Sequence, residues 1–441
     1  MRMYDLILKK RRGSALSTGE IAYLIGGVTD GSIPDPQISA FLMAVCFQGM
    51  TPEETVEFTL AMARSGEMAD LSAIKAVKVD KHSTGGVGDK TTLAVAPIVA
   101  ACGAAVAKMS GKGLGHTGGT VDKLASIPGF KTELLREDFI RIVNETGLCV
   151  VGQSGALAPA DKKLYALRDV TGTVDSLPLI ASSIMSKKLA AGADCILLDV
   201  KTGSGAFMKT AEESVELAKA MVAIGEGAGK KTAALITDMD RPLGFAVGNA
   251  LEVMEAAETL KGNGPGDFYE LCITLSAHML LQAGKGTSYG ECRNLAENAV
   301  ASGAAFHKLC DMVTAQGGDA SSLSDYAKLP RAAGVRQVPA PASGYVQAMD
   351  TAGWGTASVV LGAGRAKAGD AIDYGAGIML RKKPGDYVNA GETVAELYTN
   401  DEKAFPDAER IALRALTVGA GKPAEKPLIY AKVDADGVEY F

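Results

Sequence analysis

Two glycine-rich loops carry most of the residues whose types and spacing suit chemistry. The first loop, residues 81–92, reads Lys-His-Ser-Thr-Gly-Gly-Val-Gly-Asp-Lys-Thr-Thr. Glycines let backbone amides approach a ligand, hydroxyl groups add donors, and a following helix would present its positive N-terminus. With Lys81 beside them, these donors predict a cradle for an anion. The loop is not a Walker A motif, because Asp89 separates Gly88 from Lys90 and the required spacing fails.

The second loop, residues 108–123, also combines glycine with lysine and hydroxyl residues. Gly113, Gly115 and Gly118 satisfy the GxGxxG pattern of dinucleotide sites, but alone that pattern is weak. Two basic, hydroxyl-rich loops on neighbouring strands suit a compact, multiply charged ion such as phosphate better than a dinucleotide. We expect His116, within this loop, to be a structural hydrogen-bonding residue.

A third set of polar residues comes from two segments further along the chain. Ser183 and Lys187 are four residues apart, so on a helix they share a face. Arg168 offers a planar fork of donors, and Lys187 offers a point charge. Solvated surface charges explain this set equally well from the residues alone, so its role stays open at this point.

The elements that must position these residues follow a repeated order. Short β-branched runs at 76–79, 105–107, 195–200 and 234–236 each precede a loop rich in glycine or turn-forming residues. Strand–loop–helix units of this kind predict a mainly parallel sheet with helices on its faces. Ligands bind such sheets beyond the carboxyl ends of the strands. The loops therefore predict one site rather than several.

The regions that flank these units differ from them in predicted secondary structure. The first 65 residues read as helices, with capping-box patterns at Ser17–Glu20 and Thr51–Glu54. Residues 331–344, which follow Pro330 and contain Pro339 and Pro341, are predicted to be a linker. Residues 383–392 resemble the turns of the barrel-sandwich fold of lipoyl and biotinyl domains. The predicted fold class is α/β: a small all-helical lobe, a large α/β lobe with a mixed, mainly parallel sheet, and a C-terminal α+β barrel-sandwich-like domain.

The composition of the chain argues against some classes of binding partner. The chain has 441 residues and a formal net charge of −6. Nucleic acids and anionic membranes favour a basic surplus, so we expect neither as a partner. The seven cysteines are scattered singly, with no CxxC pair, and no apolar run reaches the roughly 18 residues of a membrane span. We therefore expect a cytoplasmic protein with reduced thiols.

Five segments together resemble the thymidine and pyrimidine-nucleoside phosphorylase family, and the resemblance covers essentially the whole chain. They are 81–89, 110–123, 165–169, 199–208 and 248–253. Two positions depart from the family pattern: Lys112 replaces a common arginine and Ala125 a common glutamate. The resemblance implies reversible phosphorolysis of pyrimidine nucleosides, with phosphate as co-substrate and no organic cofactor.

The resemblance also implies the roles of individual residues. Those that match the family's phosphate-binding positions are Lys81, Ser83, Thr92, Lys108, Ser110 and Thr120. Those that match its base-binding positions are His82, Arg168, Ser183 and Lys187. We expect His82 to protonate or hydrogen-bond O2 of the base, and Arg168 and Lys187 to stabilise the anionic base, which makes these three the predicted catalytic residues.

The implied assembly is a homodimer whose subunits have two lobes that close over the substrates. We expect a helical lobe of residues 1–65 with 163–193, which binds the base and contacts the partner subunit. The α/β lobe would comprise 66–162 with 194–330 and bind phosphate. The linker 331–344 and a C-terminal domain, 345–441, would follow.

Two side chains refine what the resemblance implies. Broad-specificity pyrimidine-nucleoside enzymes have a lysine at the position of Lys108, where strict thymidine phosphorylases have methionine. We therefore expect uridine, deoxyuridine and thymidine all to be substrates. Some relatives bind potassium or sodium near the interlobe hinge, through positions that here are Gly88, Leu243, Ala246 and Glu255.

Lys90 departs from this cation pattern, because those relatives have threonine there. Either Lys90 swings out and the ion binds, which is the alternative we favour, or its ammonium fills the site and pairs with Glu255. Two other functions also stay open. A phosphoribosyltransferase of the anthranilate type would need acidic ligands for magnesium pyrophosphate, and a non-catalytic phosphate or nucleoside sensor would need no paired sites.

Overall fold

The computed structural model describes residues 1–113, 115–367 and 369–441. The helices are α1 (Met3–Arg11), α2 (Thr18–Asp30), α3 (Asp35–Gln48), α4 (Pro52–Ala63), α5 (Thr91–Ala101), α6 (Thr120–Ala125), α7 (Arg136–Thr146), α8 (Pro159–Thr171), α9 (Leu177–Ala190), α10 (Ala211–Gly227), α11 (Asn249–Leu260), α12 (Gly266–Gln282), α13 (Tyr289–Ala301), α14 (Ala304–Ala315), α15 (Thr351–Val360) and α16 (Phe405–Arg414). The strands are β1 (Val79–Ser83), β2 (Val106–Ser110), β3 (Leu148–Gly152), β4 (Cys195–Thr202), β5 (Lys231–Asp238), β6 (Ala246–Val247), β7 (Gly334–Pro339), β8 (Gly344–Met349), β9 (Gly377–Leu380), β10 (Tyr387–Val388), β11 (Thr393–Thr399), β12 (Leu416–Gly419), β13 (Ile429–Asp434) and β14 (Gly437–Tyr440).

The helical lobe is built from α1–α4, and the later helices α8 and α9 pack on it. Ser17 and Thr51 each accept a hydrogen bond from the amide three residues later, and Glu20 and Glu54 bond back to the capping residues. Both predicted capping boxes are confirmed, and each satisfies amides that the first helical turn leaves unpaired. Apolar side chains from all six helices share one core. Across the described ranges, no helix is long and apolar enough to cross a membrane.

The central sheet has the strand order β1-β4-β5-β13-β14. Strands β1, β4 and β5 are parallel, whereas β13 runs antiparallel to β5 and forms a hairpin with β14. The sheet is therefore mixed and mainly parallel, as predicted. The side chains of β4 alternate between two cores: Leu197 packs with α5 and α12, and Leu198 packs with α9 and α10. Burial on both faces explains why β4 reads as a continuous apolar run.

Strands β2 and β3 form a separate parallel pair beside β1, to which they are linked by a parallel bridge between Lys78 and Ala105. Because β1 and β2 run in the same direction, their carboxyl ends meet at one edge. The first and second glycine-rich loops follow β1 and β2 at this edge. The parallel arrangement of the two strands therefore brings the residues of the two loops together.

The C-terminal α+β domain contains two antiparallel sheets, ordered β6-β9-β11-β7 and β10-β8-β12. Helices α15 and α16 pack against each other and enclose Trp354, which is fully buried. With the helical lobe and the α/β lobe, this domain confirms the predicted fold class.

Two predicted boundaries differ from the structure. Residues 334–339 of the predicted linker form β7, an edge strand paired with β11, and Pro339 is tolerated there because an edge strand has amides that need no partner. Residues 429–440 of the predicted C-terminal domain form β13 and β14 in the central sheet. Short alternating strands do not reveal from sequence which sheet they join.

Candidate active site

A cavity of 350 Å³ lies between the first and second loops, and we call it the loop cavity. Both loops emerge from the carboxyl ends of parallel strands, which is where such sheets bind ligands. Its walls include all six predicted phosphate-binding residues and His82: Lys81, His82, Ser83, Thr92, Lys108, Ser110 and Thr120. The structure thus brings the predicted anion-binding residues of both loops to one place.

The shape of the first loop depends on glycine at two positions. Gly85 has φ +99° and Gly88 has φ +70°, conformations that other residues adopt only with strain. A Cβ on Gly88 would also lie 2.5 Å from the carbonyl oxygen of Leu243. After the turn, Asp89 accepts hydrogen bonds from the Thr91 amide at 3.3 Å and the Thr91 hydroxyl at 2.6 Å. These bonds fix the loop where α5 begins.

Lys81 is a buried residue that lines the loop cavity. Its Nζ is 2.9 Å from Asp199 Oδ2 and 3.9 Å from Asp89 Oδ1, and it donates to the Thr91 hydroxyl. Burial lowers the pKa of this ammonium, but the carboxylates of Asp199 and Asp89 outweigh burial and raise the pKa above its usual value. Lys81 therefore stays positively charged near neutral pH.

A buried carboxylate, Asp80, holds two further lysines at the cavity. Asp80 Oδ1 lies 3.3 Å from Lys108 Nζ, and Asp80 Oδ2 lies 2.8 Å from Lys188 Nζ. Burial raises the pKa of Asp80, but the two ammonium groups lower it to about 2. Burial lowers the pKa of Lys108 to about 8, against the opposing attraction of Asp80. One carboxylate thus neutralises only part of the positive charge of the two lysines that line this wall.

His82 lines the loop cavity between Lys81 and Ser83 on β1. Burial, and then the positive charges of Lys188 and Lys108, hold the pKa of His82 well below its usual value. The imidazole is consequently neutral near pH 7. A neutral imidazole donates one hydrogen bond and holds no extra proton to transfer.

A second cavity of 140 Å³, the helix cavity, lies against α8 and α9. Arg168 and Ser183 line it together with apolar side chains that include Ile180 and Phe207. Tyr165 lines both the helix cavity and the loop cavity, so the two are adjacent. A flat molecule bound there would contact the apolar side chains with its faces, and its polar edge would contact Arg168 and Ser183.

Arg168 is buried and hydrogen-bonded to the backbone. Its Nε, Nη1 and Nη2 donate to the carbonyl oxygens of Thr173 at 3.2 Å, Leu179 at 3.1 Å and Val174 at 2.6 Å. Burial lowers the pKa of this guanidinium from its very high usual value. A guanidinium has five N–H groups, so two remain beyond those that hold it in place.

Lys187 is near the helix cavity but is not among the described residues that line it. Its Nζ lies 2.6 Å from Asp161 Oδ2 and 3.2 Å from Ser183 Oγ. The predicted sharing of one helix face by Ser183 and Lys187 is confirmed. Lys187 therefore meets the residues predicted to bind the base through its contact with Ser183, and not by lining the cavity.

Among the functional residues not predicted from the sequence, Lys188 and Tyr165 line the loop cavity, and Asp80 pairs with two lysines that line it. Asp80 directly precedes Lys81 in the buried first half of β1, and a buried carboxylate must be paired with a cation. That signal was available for Asp80. Lys188 and Tyr165 carry no comparable signal, because each is one of several polar residues on a helix.

The predicted cation site is filled by a side chain. Lys90 Nζ lies 2.7 Å from the carbonyl oxygen of Leu243, 3.0 Å from that of Ala246 and 2.5 Å from Glu255 Oε2. This arrangement is the second of the two alternatives for Lys90, and the favoured one, an ion bound beside Gly88, does not fit it. Within the described part of the chain, no group of three or more histidine, cysteine, aspartate or glutamate residues is placed to hold a metal ion.

Family models match three consecutive parts of the chain. Residues 4–66 match the helical bundle domain of the glycosyl transferase family, and residues 75–306 match the a/b domain of that family. Residues 345–422 match the pyrimidine nucleoside phosphorylase C-terminal domain. The order of these domains agrees with the lobes described above.

A solved structure shares the fold at low sequence identity. It is anthranilate phosphoribosyltransferase from Thermus thermophilus, with a TM-score of 0.57 and 21% identity, and the match covers 70% of this chain and 98% of that one. This likeness concerns the fold alone.

Two relatives are far more similar in sequence. The pyrimidine-nucleoside phosphorylase of Geobacillus stearothermophilus is 54% identical over 98% of this chain and 100% of its own. That of Bacillus subtilis strain 168 is 58% identical over 91% of this chain and 93% of its own. The resemblance inferred from the loops is confirmed: the chain belongs to the pyrimidine-nucleoside phosphorylase family.

Proposed function

We propose that this chain catalyses the reversible phosphorolysis of pyrimidine nucleosides, which gives a free base and a pentose 1-phosphate. The observation that carries the proposal is the adjacency of two unlike cavities. The loop cavity offers ammonium and hydroxyl donors for phosphate, and the helix cavity offers apolar walls with Arg168 and Ser183 for a base. Tyr165 borders both, so a nucleoside bound in one would present its sugar toward the other.

Phosphate itself would be the nucleophile, so no serine or cysteine nucleophile is needed. We assign phosphate binding to Lys81, Ser83, Thr92, Lys108, Ser110 and Thr120, all of which line the loop cavity. Their donors would hold one phosphate oxygen in line with the sugar carbon as the bond to the base breaks. Such alignment replaces a bimolecular encounter by a step within one complex.

The leaving base gains negative charge, chiefly on N1 and O2. We assign His82, Arg168 and Lys187 to that charge, with Ser183 binding the base edge. The neutral imidazole of His82 supports hydrogen bonding to O2 rather than proton transfer. The two remaining N–H groups of Arg168 would meet a base carbonyl oxygen, and Lys187 would act through Ser183. Donors aimed at developing charge lower the barrier as an oxyanion hole does.

We further propose that uridine, deoxyuridine and thymidine are all substrates, because Lys108 lines the loop cavity and could donate to a ribose 2′-hydroxyl.

The test of the proposed function is base release from each nucleoside with phosphate, with pyrophosphate and with neither anion. Release that requires phosphate alone supports the proposal. Release from uridine 5′-monophosphate with pyrophosphate would instead indicate a phosphoribosyltransferase, and nucleoside binding without release would indicate a sensor. Protein carrying Lys81→Met, purified identically, controls for a contaminating host enzyme.

The charge state of Lys108 predicts a pH dependence. Its pKa is about 8 in the free protein, so raising the pH through that value removes a positive charge from the phosphate site. We expect kcat/KM for phosphate, which reports the free enzyme, to fall through this range relative to Lys108→Met. Taking the ratio of parent to variant cancels the titration of phosphate itself. A ratio that stays constant from about pH 7 to pH 9 would contradict the assignment.

Substituting His82 distinguishes hydrogen bonding from proton transfer. Asparagine keeps a donor but cannot titrate, so we expect His82→Asn to retain kcat within about tenfold of the parent. The ratio of the two rates should also stay constant between about pH 6 and pH 8, since neither group changes protonation there. A loss of 10²-fold or more, as general acid catalysis would give, would show that His82 transfers a proton.

The assembly and location are proposals as well. We propose a homodimer formed through the helical lobe, which exposes Tyr4, Phe47 and Val170 on α1, α3 and α8. Sedimentation velocity of the parent and of Phe47→Glu checks this, and a parent that sediments as a monomer would contradict it.

We also propose a cytoplasmic location, which the seven unpaired cysteines support. Fractionation of the native host cells tests the location.

A further inference from the structure

The side chain of Lys90, in the first loop, is fully buried. Its ammonium is bonded to the carbonyl oxygens of Leu243 and Ala246 and to the carboxylate of Glu255, at 2.7, 3.0 and 2.5 Å. An ammonium has three N–H donors and no acceptor. Two of these donors bind the carbonyl oxygens of Leu243 and Ala246, and the ion pair with Glu255 balances the positive charge of the ammonium.

The groups around the ammonium are themselves fixed. Glu255 Oε1 accepts hydrogen bonds from the amides of Phe245 at 2.9 Å and Ala246 at 3.1 Å. The face of the Phe268 ring covers the ammonium at 5.2 Å. Gly244 has φ +65°, and a Cβ there would lie 2.9 Å from Lys90 Nζ and 2.1 Å from Glu255 Oε2. The backbone at Gly244, the Phe268 ring and the Glu255 carboxylate thus surround the ammonium, and we call this surrounding set of groups the enclosure.

The position of this enclosure links three parts of the molecule. Lys90 lies in the first loop immediately before α5, whereas Leu243 precedes β6 and Ala246 is its first residue. Glu255 belongs to α11, and β6 pairs with β9 of the C-terminal domain. A positive charge here fastens the first loop to α11 and to the strand that reaches the C-terminal domain.

We propose that Lys90 is a built-in replacement for a monovalent cation. Its ammonium supplies the single positive charge and the contacts to two carbonyl oxygens and one carboxylate that a potassium or sodium ion would otherwise make. The first loop is then held in place whichever cation is in solution, and the chain requires no monovalent metal ion. This inference is independent of the proposed function, because melting reports it without any substrate.

The first experiment compares the parent protein in potassium, sodium and tetramethylammonium chloride at equal ionic strength. A bound ion stabilises the folded state by mass action, so its absence would lower the melting temperature. We expect melting temperatures that agree within about 1 °C in the three salts. A saturable rise of about 3 °C or more with potassium or sodium would overturn the proposal.

The second experiment opens the enclosure. Lys90→Thr removes the ammonium and adds a hydroxyl oxygen, which leaves Glu255 and both carbonyl oxygens for an ion. We expect this variant to melt lower than the parent in tetramethylammonium and to recover in a saturable potassium titration. Lys90→Met, which adds no oxygen ligand, should melt low and recover less. Lys403→Thr, which removes an exposed lysine, controls for the loss of one charge.

Each outcome of the two melting experiments bears on the proposal. A Lys90→Thr protein that folds but melts identically in all three salts would overturn the proposal, because the oxygens would then form no cation site. If neither Lys90 variant folds, the melting temperatures of the parent decide the question alone. Base release by the parent is a second readout, independent of the melting data. We expect the same rate in tetramethylammonium as in potassium.

Discussion

Arg168→Ala should lower kcat/KM for uridine by about 10²–10³, the usual effect of removing a donor to developing charge. Lys187→Ala should also lower it, through the loss of its bond to Ser183 at 3.2 Å. Arg168→Ala should in addition lower the melting temperature, since the carbonyl oxygens of Thr173, Val174 and Leu179 lose their donor. Steady-state kinetics and thermal melting separate the chemical effect from the structural one.

A matched control lies on the same helix as Arg168. Lys163 is a partly exposed residue of α8 that pairs with Asp35 at 3.2 Å, outside both cavities. Lys163→Ala should leave kcat/KM unchanged within about twofold, because an exposed ion pair contributes little. Parent-like rates in both Arg168→Ala and Lys187→Ala would refute the assignment of the base site.

Asp80→Asn should destabilise the folded protein by about 3–5 kcal/mol, because it leaves two buried ammonium groups without their carboxylate. Those groups belong to Lys108 and Lys188, which are 5% and 2% exposed in this ion cluster. The pKa of Asp80 is lowered from 3.8 to about 2 on folding, so its contribution is complete above the unfolded value and is lost as the pH falls through about 2. Denaturant unfolding of parent and variant near pH 7 measures the difference.

The control for this substitution is an exposed pair of the same kind. Asp70 and Arg136 lie 3.1 Å apart and are each 63% exposed, so Asp70→Asn should change stability by less than about 1 kcal/mol. Removing one stranded ammonium as well, in Asp80→Asn with Lys188→Met, should restore part of the loss. An Asp80→Asn protein as stable as the parent would show that the lysines do not depend on this carboxylate.

Much of the fold could be predicted because local patterns agree with tertiary structure. The strand–loop–helix units became β1, β4 and β5, and the capping boxes at Ser17 and Thr51 formed as expected. The pattern failed where pairing is decided by distant residues. β13 joins β5 and β7 joins β11, and neither pairing has a signal in the short strand itself.

The candidate site, like the fold, was predicted from local sequence only in part. Glycines, lysines and hydroxyl residues on consecutive stretches of chain predicted the loop cavity. The pairing of Asp80 on β1 with Lys188 on α9, and the position of Tyr165 between the cavities, depend on tertiary contacts that the local sequence does not encode. Lys90 was recognised as a departure, but only the positions of the Leu243 and Ala246 carbonyl oxygens distinguish its two alternatives.

The pairing of β13 with β5 has a consequence for biosynthesis. Ala431 lies opposite Ile236, so one hydrogen-bonding edge of a strand buried on both faces stays open until on the order of 200 further residues have been made. An open, apolar edge of this kind is a template for pairing with another chain. A nascent chain stalled or cleaved before residue 429 would expose β5 in this state. We therefore expect such fragments to aggregate, and the α/β lobe to reach its final form only after the C-terminal domain has been synthesised.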